Sequence, residues 1–119
     1  MLDVISPSVA TTETAACWVV ITKNGRFAYV TNTGSASVSA YRIQRDGSVV
    51  LRDADGRTGD TGAGSGPLDA ALTSDSRYLY TLSPRNGTIA AFRVQANGAL
   101  TALPGPSSLP TSANGLAAF

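Results

Sequence analysis

Residues 27–43 read FAYVTNTGSASVSAYRI, and residues 78–94 read YLYTLSPRNGTIAAFRV. The two stretches stand 51 residues apart. At that shift Thr22, Arg26, Tyr29, Ala40, Arg42, Gln44 and Gly47 meet identical residues at Thr73, Arg77, Tyr80, Ala91, Arg93, Gln95 and Gly98. Repetition at such a period means one supersecondary unit per repeat, each burying its apolar surface on its neighbours.

Working outward from the first stretch, residues 18–21 form an apolar, β-branched run. It is too short for a helix and suits a strand buried on both faces. Asn24-Gly25 follows, a pair suited to a hairpin turn with positive φ at both positions. A second strand spans 26–31, a turn rich in Asn, Thr, Gly and Ser spans 32–35, and a third strand spans 37–43. Asp46-Gly47 makes another turn before a strand at 48–51. The second copy repeats the devices: strands at 70–72, 77–82, 88–94 and 99–103, with turns at Asp75-Ser76, 85–87 and Asn97-Gly98. Each unit is a four-stranded antiparallel meander.

The termini align as well: residues 2–21 on 100–119 place Leu2 on Leu100, Ile5 on Leu103, Trp18 on Leu116 and Ile21 on Phe119. Read this way, the chain starts in the last strand of one unit and stops in the first strand of another. Meanders at a period of about 40–50 residues mark β-propeller blades. The strands support that reading: Val38 and Ala40 point one way and Tyr41 and Ile43 the other, as a sheet stacked on both sides requires. The expected fold is all-β, two complete four-stranded blades plus flanking single strands. Residues 1–15 carry the outer strand of a preceding blade and a connector, 16–52 a blade, 53–66 a loop, 67–104 a second blade, and 105–119 a connector and the innermost strand of a closing blade. Two blades leave two outer faces uncovered, so the remaining blades of a longer chain, or other copies, are the expected partners.

Composition removes several functions. With 119 residues and 43% apolar content, nothing is long or apolar enough to cross a membrane as a helix. The formal charge is +1, from nine basic and eight acidic residues scattered singly, which is not the basic stripe that nucleic acid requires. Histidine is absent and Cys17 is the single cysteine, so no internal disulfide, zinc site or histidine-based triad can be assembled within the chain. No metal or other cofactor is expected. The segment RDADGRTGDTGAGSG, residues 52–66, carries Asp53, Asp55 and Asp60. A calcium loop needs glycine at its sixth position and glutamate at its twelfth, and here the fifth and sixth positions are Arg57 and Thr58, with no glutamate. It reads as a flexible polar connection. The opening MLDVISPSVA is not a signal peptide, and the compartment is not legible.

The run YVTN at residues 29–32, followed by TGSASVSAYRI and a DG turn, resembles the YVTN-type propeller repeat. It is especially similar to the lactonase-type seven-bladed propellers related to 6-phosphogluconolactonase and carboxymuconate cyclase. The resemblance covers nearly the whole chain. ANGLAAF, residues 113–119, looks like that family's C-terminal innermost strand, which implies a C-terminal part of such a protein with about four to five blades outside it.

The resemblance implies a site at the channel mouth, at the starts of the first strands and in the turns between second and third strands. There His, Arg and Glu side chains of lactonase and lactonizing members handle a lactone or carboxylate. Where members show Pro-Arg-His, this chain has Pro67-Leu68-Asp69 and Ala16-Cys17-Trp18, so no catalytic residue carries over. The substrate-binding candidates are Arg85, Asp69, Trp18 and Asn32. Arg85 is a guanidinium suited to a carboxylate or phosphate, or a solvated turn residue. Asp69 is a general base, or a side chain bonding nearby backbone donors. Trp18 stacks on a ligand or is buried between blades, and Asn32 touches substrate or caps its own turn. Cys17 reads as a small core residue, since no histidine is present to activate it. Two functions stand open. One is a hydrolase or lactonizing enzyme acting on a sugar (phospho)lactone such as 6-phosphogluconolactone, with most catalytic residues outside this chain. The other is a non-catalytic propeller that binds a protein, glycan or small carboxylate, lactone or sugar-phosphate ligand.

Overall fold

Short strand-forming runs, apolar or small on both faces and broken by turns, yield two antiparallel meanders. A computed structural model describes residues 2–119; Met1, at the start of the expected 1–15 segment, lies outside them. The first sheet orders β1 (Ala16–Ile21), β2 (Phe27–Asn32), β3 (Ser37–Ile43) and β4 (Val49–Leu51) in sequence, with the short β5 (Gly59–Asp60) also on β3. The second orders β6 (Asp69–Leu72), β7 (Tyr78–Ser83), β8 (Thr88–Val94) and β9 (Leu100–Leu103). Register repeats with sequence: Tyr29 faces Ala40, and Tyr80 faces Ala91. No helix of the described residues is long and apolar enough to cross a membrane.

The turns use a different geometry from the one their dipeptides suggest. Gly25 has φ +70° and Gly47 φ +88°, while Asn24 and Asp46 keep negative φ. Gly25 N donates to Thr22 O and Gly47 N to Gln44 O, so each turn ends in one left-handed glycine rather than placing both central residues there. Asn24 serves through its side chain, whose Oδ1 accepts from Thr22 Oγ1 (2.7 Å) and Arg26 N (3.0 Å). Asp75 repeats this with Thr73 and Arg77.

The core lies between the sheets. Phe27, Tyr29, Val38 and Ala40 of the first blade meet Ala70, Leu79 and Phe92 of the second. Burying each large side chain is worth about 1.5–3 kcal/mol. Polar ties close the interface: Tyr29 Oη donates to Gly98 O (2.9 Å), Thr33 Oγ1 to Pro67 O (2.7 Å), and Arg52 Nε to Asn97 O (2.9 Å). On the far face of the first blade the 9–15 segment lies across the sheet, with Tyr41 Oη on Val9 O (2.7 Å) and Thr33 N on Ala15 O.

Four expectations change. Residues 2–5 and 116–119, expected as single strands, form no ladder among the described residues, because a strand needs backbone pairing and their neighbours meet them only through side chains. β1, expected to be buried on both faces, exposes Val19 and Ile21, whose side of the sheet has no second sheet against it. Cys17 is likewise exposed rather than in the core. The 53–66 loop is an interrupted outer strand rather than a flexible link. Arg52 N bonds Ala40 O, residues 53–57 bulge out, and Thr58 N rejoins β3 at Val38 O. The Thr58 hydroxyl fills the gap in the ladder by accepting from Ala40 N (2.9 Å), and Gly56 and Gly59 are buried.

Candidate functional site

Ala16 pairs with Asn32 and Asp69 with Leu82, so both first strands begin beside the turns that join the second and third strands. This end carries the candidates. Trp18 and Asp69 line one pocket of about 450 Å³, together with Cys17, Leu68, Asn114 and Gly115. Half of Trp18 is exposed (49%), with its backbone N held by Thr31 Oγ1 (3.1 Å), so the indole has open area for stacking. Asp69 Oδ1 accepts from Ala70 N (2.8 Å), the local bond expected of a strand-start aspartate, which leaves Oδ2 free of a protein partner among the described residues.

Arg85 projects from the turn 84–87, closed by Gly87 N on Pro84 O. Its guanidinium lies over Gly66, where an added Cβ would stand 3.0 Å from Nε. Gly66 has φ +64°, and the side-chain-free backbone there lets the guanidinium approach. Arg85 is exposed and has no ion pair among the described residues. It stands at the same end as Trp18 and Asp69 but does not line their pocket.

Asn32 lies at this end but faces inward. It is fully buried, and its amide donates to Ser37 Oγ (3.1 Å) and Ser39 Oγ (2.9 Å), so it braces β2 on β3 rather than facing a ligand. Its Oδ1 has no partner, and neither have Thr81 Oγ1 and Ser83 Oγ, a strain on stability of the kind that ordered water relieves.

A charged clasp at this end joins residues too far apart in sequence to leave a local motif. Glu13 Oε2 accepts from Ser37 Oγ (2.7 Å) and Arg57 Nη1 (3.1 Å), and Arg57 Nη2 reaches Asp60 Oδ2 (3.1 Å). The hydroxyls of Ser35 and Ser37, with Arg57 adding to them, hold the Glu13 carboxyl below its ordinary range. The Gly62 N–H and Arg57 do the same for Asp60. The aspartates of the 52–66 segment do not converge. Asp53 takes Arg52 and Thr58, Asp55 the Arg57 N–H, and Asp60 Arg57. No group of three or more potential metal ligands forms among the described residues.

A search of curated proteins gives no sequence match. Among solved structures, the chain is similar to a periplasmic gluconolactonase of Pseudomonas aeruginosa, with 25% identity, a TM-score of 0.66, and coverage of 83% of this chain and 28% of that one. It is similar to a Bacteroides fragilis protein provisionally assigned as a 6-phosphogluconolactonase, with 25% identity, a TM-score of 0.64, and coverage of 78% and 26%. A Lactobacillus plantarum protein shares the fold at 20% identity and a TM-score of 0.67, covering 83% and 28%. The chain thus spans between a quarter and a third of the length of each structure. The family model for the lactonase seven-bladed β-propeller matches residues 18–118, nearly the whole meander pair described above, and the chain therefore belongs to that family.

Proposed function

We propose that the chain forms two blades of a propeller that hydrolyses a sugar lactone or phospholactone, supplying one wall of its channel mouth while further residues come from other blades. The observation that carries this reading is Arg85, an exposed guanidinium without a protein counter-ion among the described residues, at the same end of the blades as Trp18 and Asp69. Water attacks the lactone carbonyl, the ring C–O bond breaks, and the ring oxygen takes up a proton. Negative charge gathers first on the carbonyl oxygen, where an oriented cation lowers the barrier. Arg85 binds that oxygen, the product carboxylate, or the phosphate of a phospholactone. In this reading Asp69 takes the proton from the attacking water and Trp18 covers a sugar face. The gluconolactonase likeness supports this choice of chemistry.

The same proposal assigns the uncovered sheet faces to neighbouring blades. Tyr80, the twin of Tyr29, lies on the far face of the second blade in an open cleft of about 410 Å³ with Ile89 and Leu116. The experiment is direct: the full-length protein is assayed with glucono-1,5-lactone and 6-phosphogluconolactone, as wild type and Arg85→Gln. Turnover above the spontaneous rate that falls in the variant supports the reading. No turnover with either lactone sinks it and leaves the ligand-binding scaffold.

A further inference from the structure

Four of the five asparagines precede a glycine: Asn24-Gly25, Asn86-Gly87, Asn97-Gly98 and Asn114-Gly115. Such a pair carries a chemistry of its own. The glycine nitrogen can attack the carboxamide carbon of the preceding side chain, because glycine neither shields that nitrogen nor restricts the backbone that must bend. The fold decides which of the four is free to react.

Three are held away from reaction. Gly25 N donates to Thr22 O (2.8 Å), Gly87 N to Pro84 O (3.2 Å) and Gly98 N to Gln95 O (3.0 Å), so each nucleophile is committed to its turn. Their side chains are committed elsewhere: Asn24 Oδ1 accepts from Arg26 N (3.0 Å), Asn97 Oδ1 from Ala99 N (3.0 Å) and Asn86 Oδ1 from Thr88 Oγ1 (2.6 Å). At Asn114 both restraints are missing. Gly115 N has no backbone acceptor among the described residues, and it donates instead to Asn114 Oδ1 at 3.0 Å. The carboxamide carbon is one bond of about 1.2 Å from that oxygen. A small turn of the side chain brings it to the roughly 3–3.5 Å at which reacting atoms meet. Gly115 has φ +84° with nothing within 4 Å of an added Cβ, and both residues are exposed, so water reaches the pair. Exposure alone does not single it out, since Asn24 and Gly25 are exposed too.

We propose that Asn114 is a self-modification site, converted without an enzyme to aspartate and isoaspartate through a cyclic imide. A base in the solvent takes the Gly115 amide proton, the nitrogen bonds to Asn114 Cγ, and the carboxamide nitrogen leaves as ammonia with a proton from water. Water then opens the ring. Breaking the new N–Cγ bond leaves aspartate in an intact main chain, and breaking the main-chain N–C bond leaves isoaspartate, with the chain running through the side chain. Nothing is oxidised or reduced. Asn114 and Gly115 line the same pocket as Trp18 and Asp69. Either product therefore adds a second carboxylate beside Asp69, and this end of the blades becomes more negative as the protein ages. The conversion does not depend on the lactone reading.

Site-resolved mass spectrometry after proteolysis follows the exchange of amide NH2 for OH at all four pairs in the full-length protein, incubated folded and in urea in mildly alkaline buffer. In the folded protein Asn114 should convert at least about tenfold faster than each of the others, a difference of about 1.4 kcal/mol, the size of one or two hydrogen bonds that those three must break first. In urea, where no pair keeps its turn, the four rates should converge. Gly115→Ala should slow Asn114 in the folded protein and leave the other three unchanged. No conversion at Asn114 in the folded protein overturns the proposal, as does an unchanged rate in Gly115→Ala. Equal rates at the four folded pairs overturn it too, and so does an Asn114 excess that persists in urea, which would make local sequence the cause and not the fold.

Discussion

Replacing Gly98 with alanine tests whether the two blades are locked by the β8–β9 turn. Gly98 has φ +85°, a conformation that costs an L-residue about 1–2 kcal/mol. The new Cβ would also stand 2.5 Å from Phe27 Cε1 and 2.6 Å from Cδ1. Phe27 is buried at 6% exposure, so its ring cannot swing into solvent, and overpacking of this kind costs about 1–3 kcal/mol more. A total of about 2–5 kcal/mol is expected. Gly25→Ala is the control: φ is +70° but nothing lies within 4 Å of its Cβ, so only the backbone cost of about 1–2 kcal/mol applies. Urea unfolding followed by the fluorescence of the single Trp18 reads both. With a slope of about 1–3 kcal/mol per molar, Gly98→Ala should lower the midpoint by about 1–2 M and clearly further than Gly25→Ala. Adding Phe27→Leu to Gly98→Ala should return part of the loss, a coupling that the contact requires. Equal midpoint shifts for the two alanine variants would refute the reasoning, because they would leave the Phe27 contact with no energetic content.

Tyr29 has its phenol pushed up to about 12 by burial, which outweighs the opposing charge of Arg52. A raised value means the neutral phenol stabilises the fold fully below about pH 10, and that contribution is lost as pH climbs toward 12. Tyr29→Phe should abolish this alkaline transition in a pH-dependent melt while lowering stability by about 1 kcal/mol at neutral pH, through loss of the bond to Gly98 O. Glu13 has the opposite sign: its depressed carboxyl stabilises above the ordinary glutamate range, and that contribution disappears as pH falls through its lowered value. Glu13→Gln should therefore lower the melting temperature at pH 7 and flatten the acid limb, and an unchanged limb would mean that the clasp holds nothing. Arg85→Gln should cut kcat/KM for the lactone by about ten- to a hundredfold with the melting temperature unchanged, the size of one lost charge-assisted contact.

The repeat made the fold readable because its strongest marks sit where the backbone has least freedom. Gly47 and Gly98 occupy left-handed turn ends, and Tyr29 and Ala40 pair in the ladder as Tyr80 and Ala91 do. What stayed hidden depends on contacts distant in sequence. Asn32 looked like a turn residue because asparagine commonly is one. Only the β2–β3 register shows its amide spent on Ser37 and Ser39. Thr58 closing the ladder for a bulged outer strand has no local signature, and neither has Glu13 reaching Arg57 across 44 residues. Exposure misled in one respect: residues 18–21 are apolar enough for a two-sided strand, yet burial needs a second sheet as well as apolar side chains.

Tyr29 and Gly98 also show that two of the repeated identities act across blades rather than within one. The hydroxyl of the first blade's second strand bonds the third turn of the next blade, at 2.9 Å from Gly98 O, so tyrosine and glycine are two halves of one inter-blade contact. A repeat that stacks must carry both halves in every unit. The chain accordingly carries a Tyr80 whose hydroxyl has no protein partner among the described residues and a Gly47 whose nearest side chain is that of Ile5. Gly47 also ends its own turn at φ +88°, as Gly25 does at φ +70° with no tyrosine above it, so the open Tyr80 hydroxyl is the half that its own blade leaves unused. A tyrosine retained with an open hydroxyl is what a blade built to be flanked on each side by another requires.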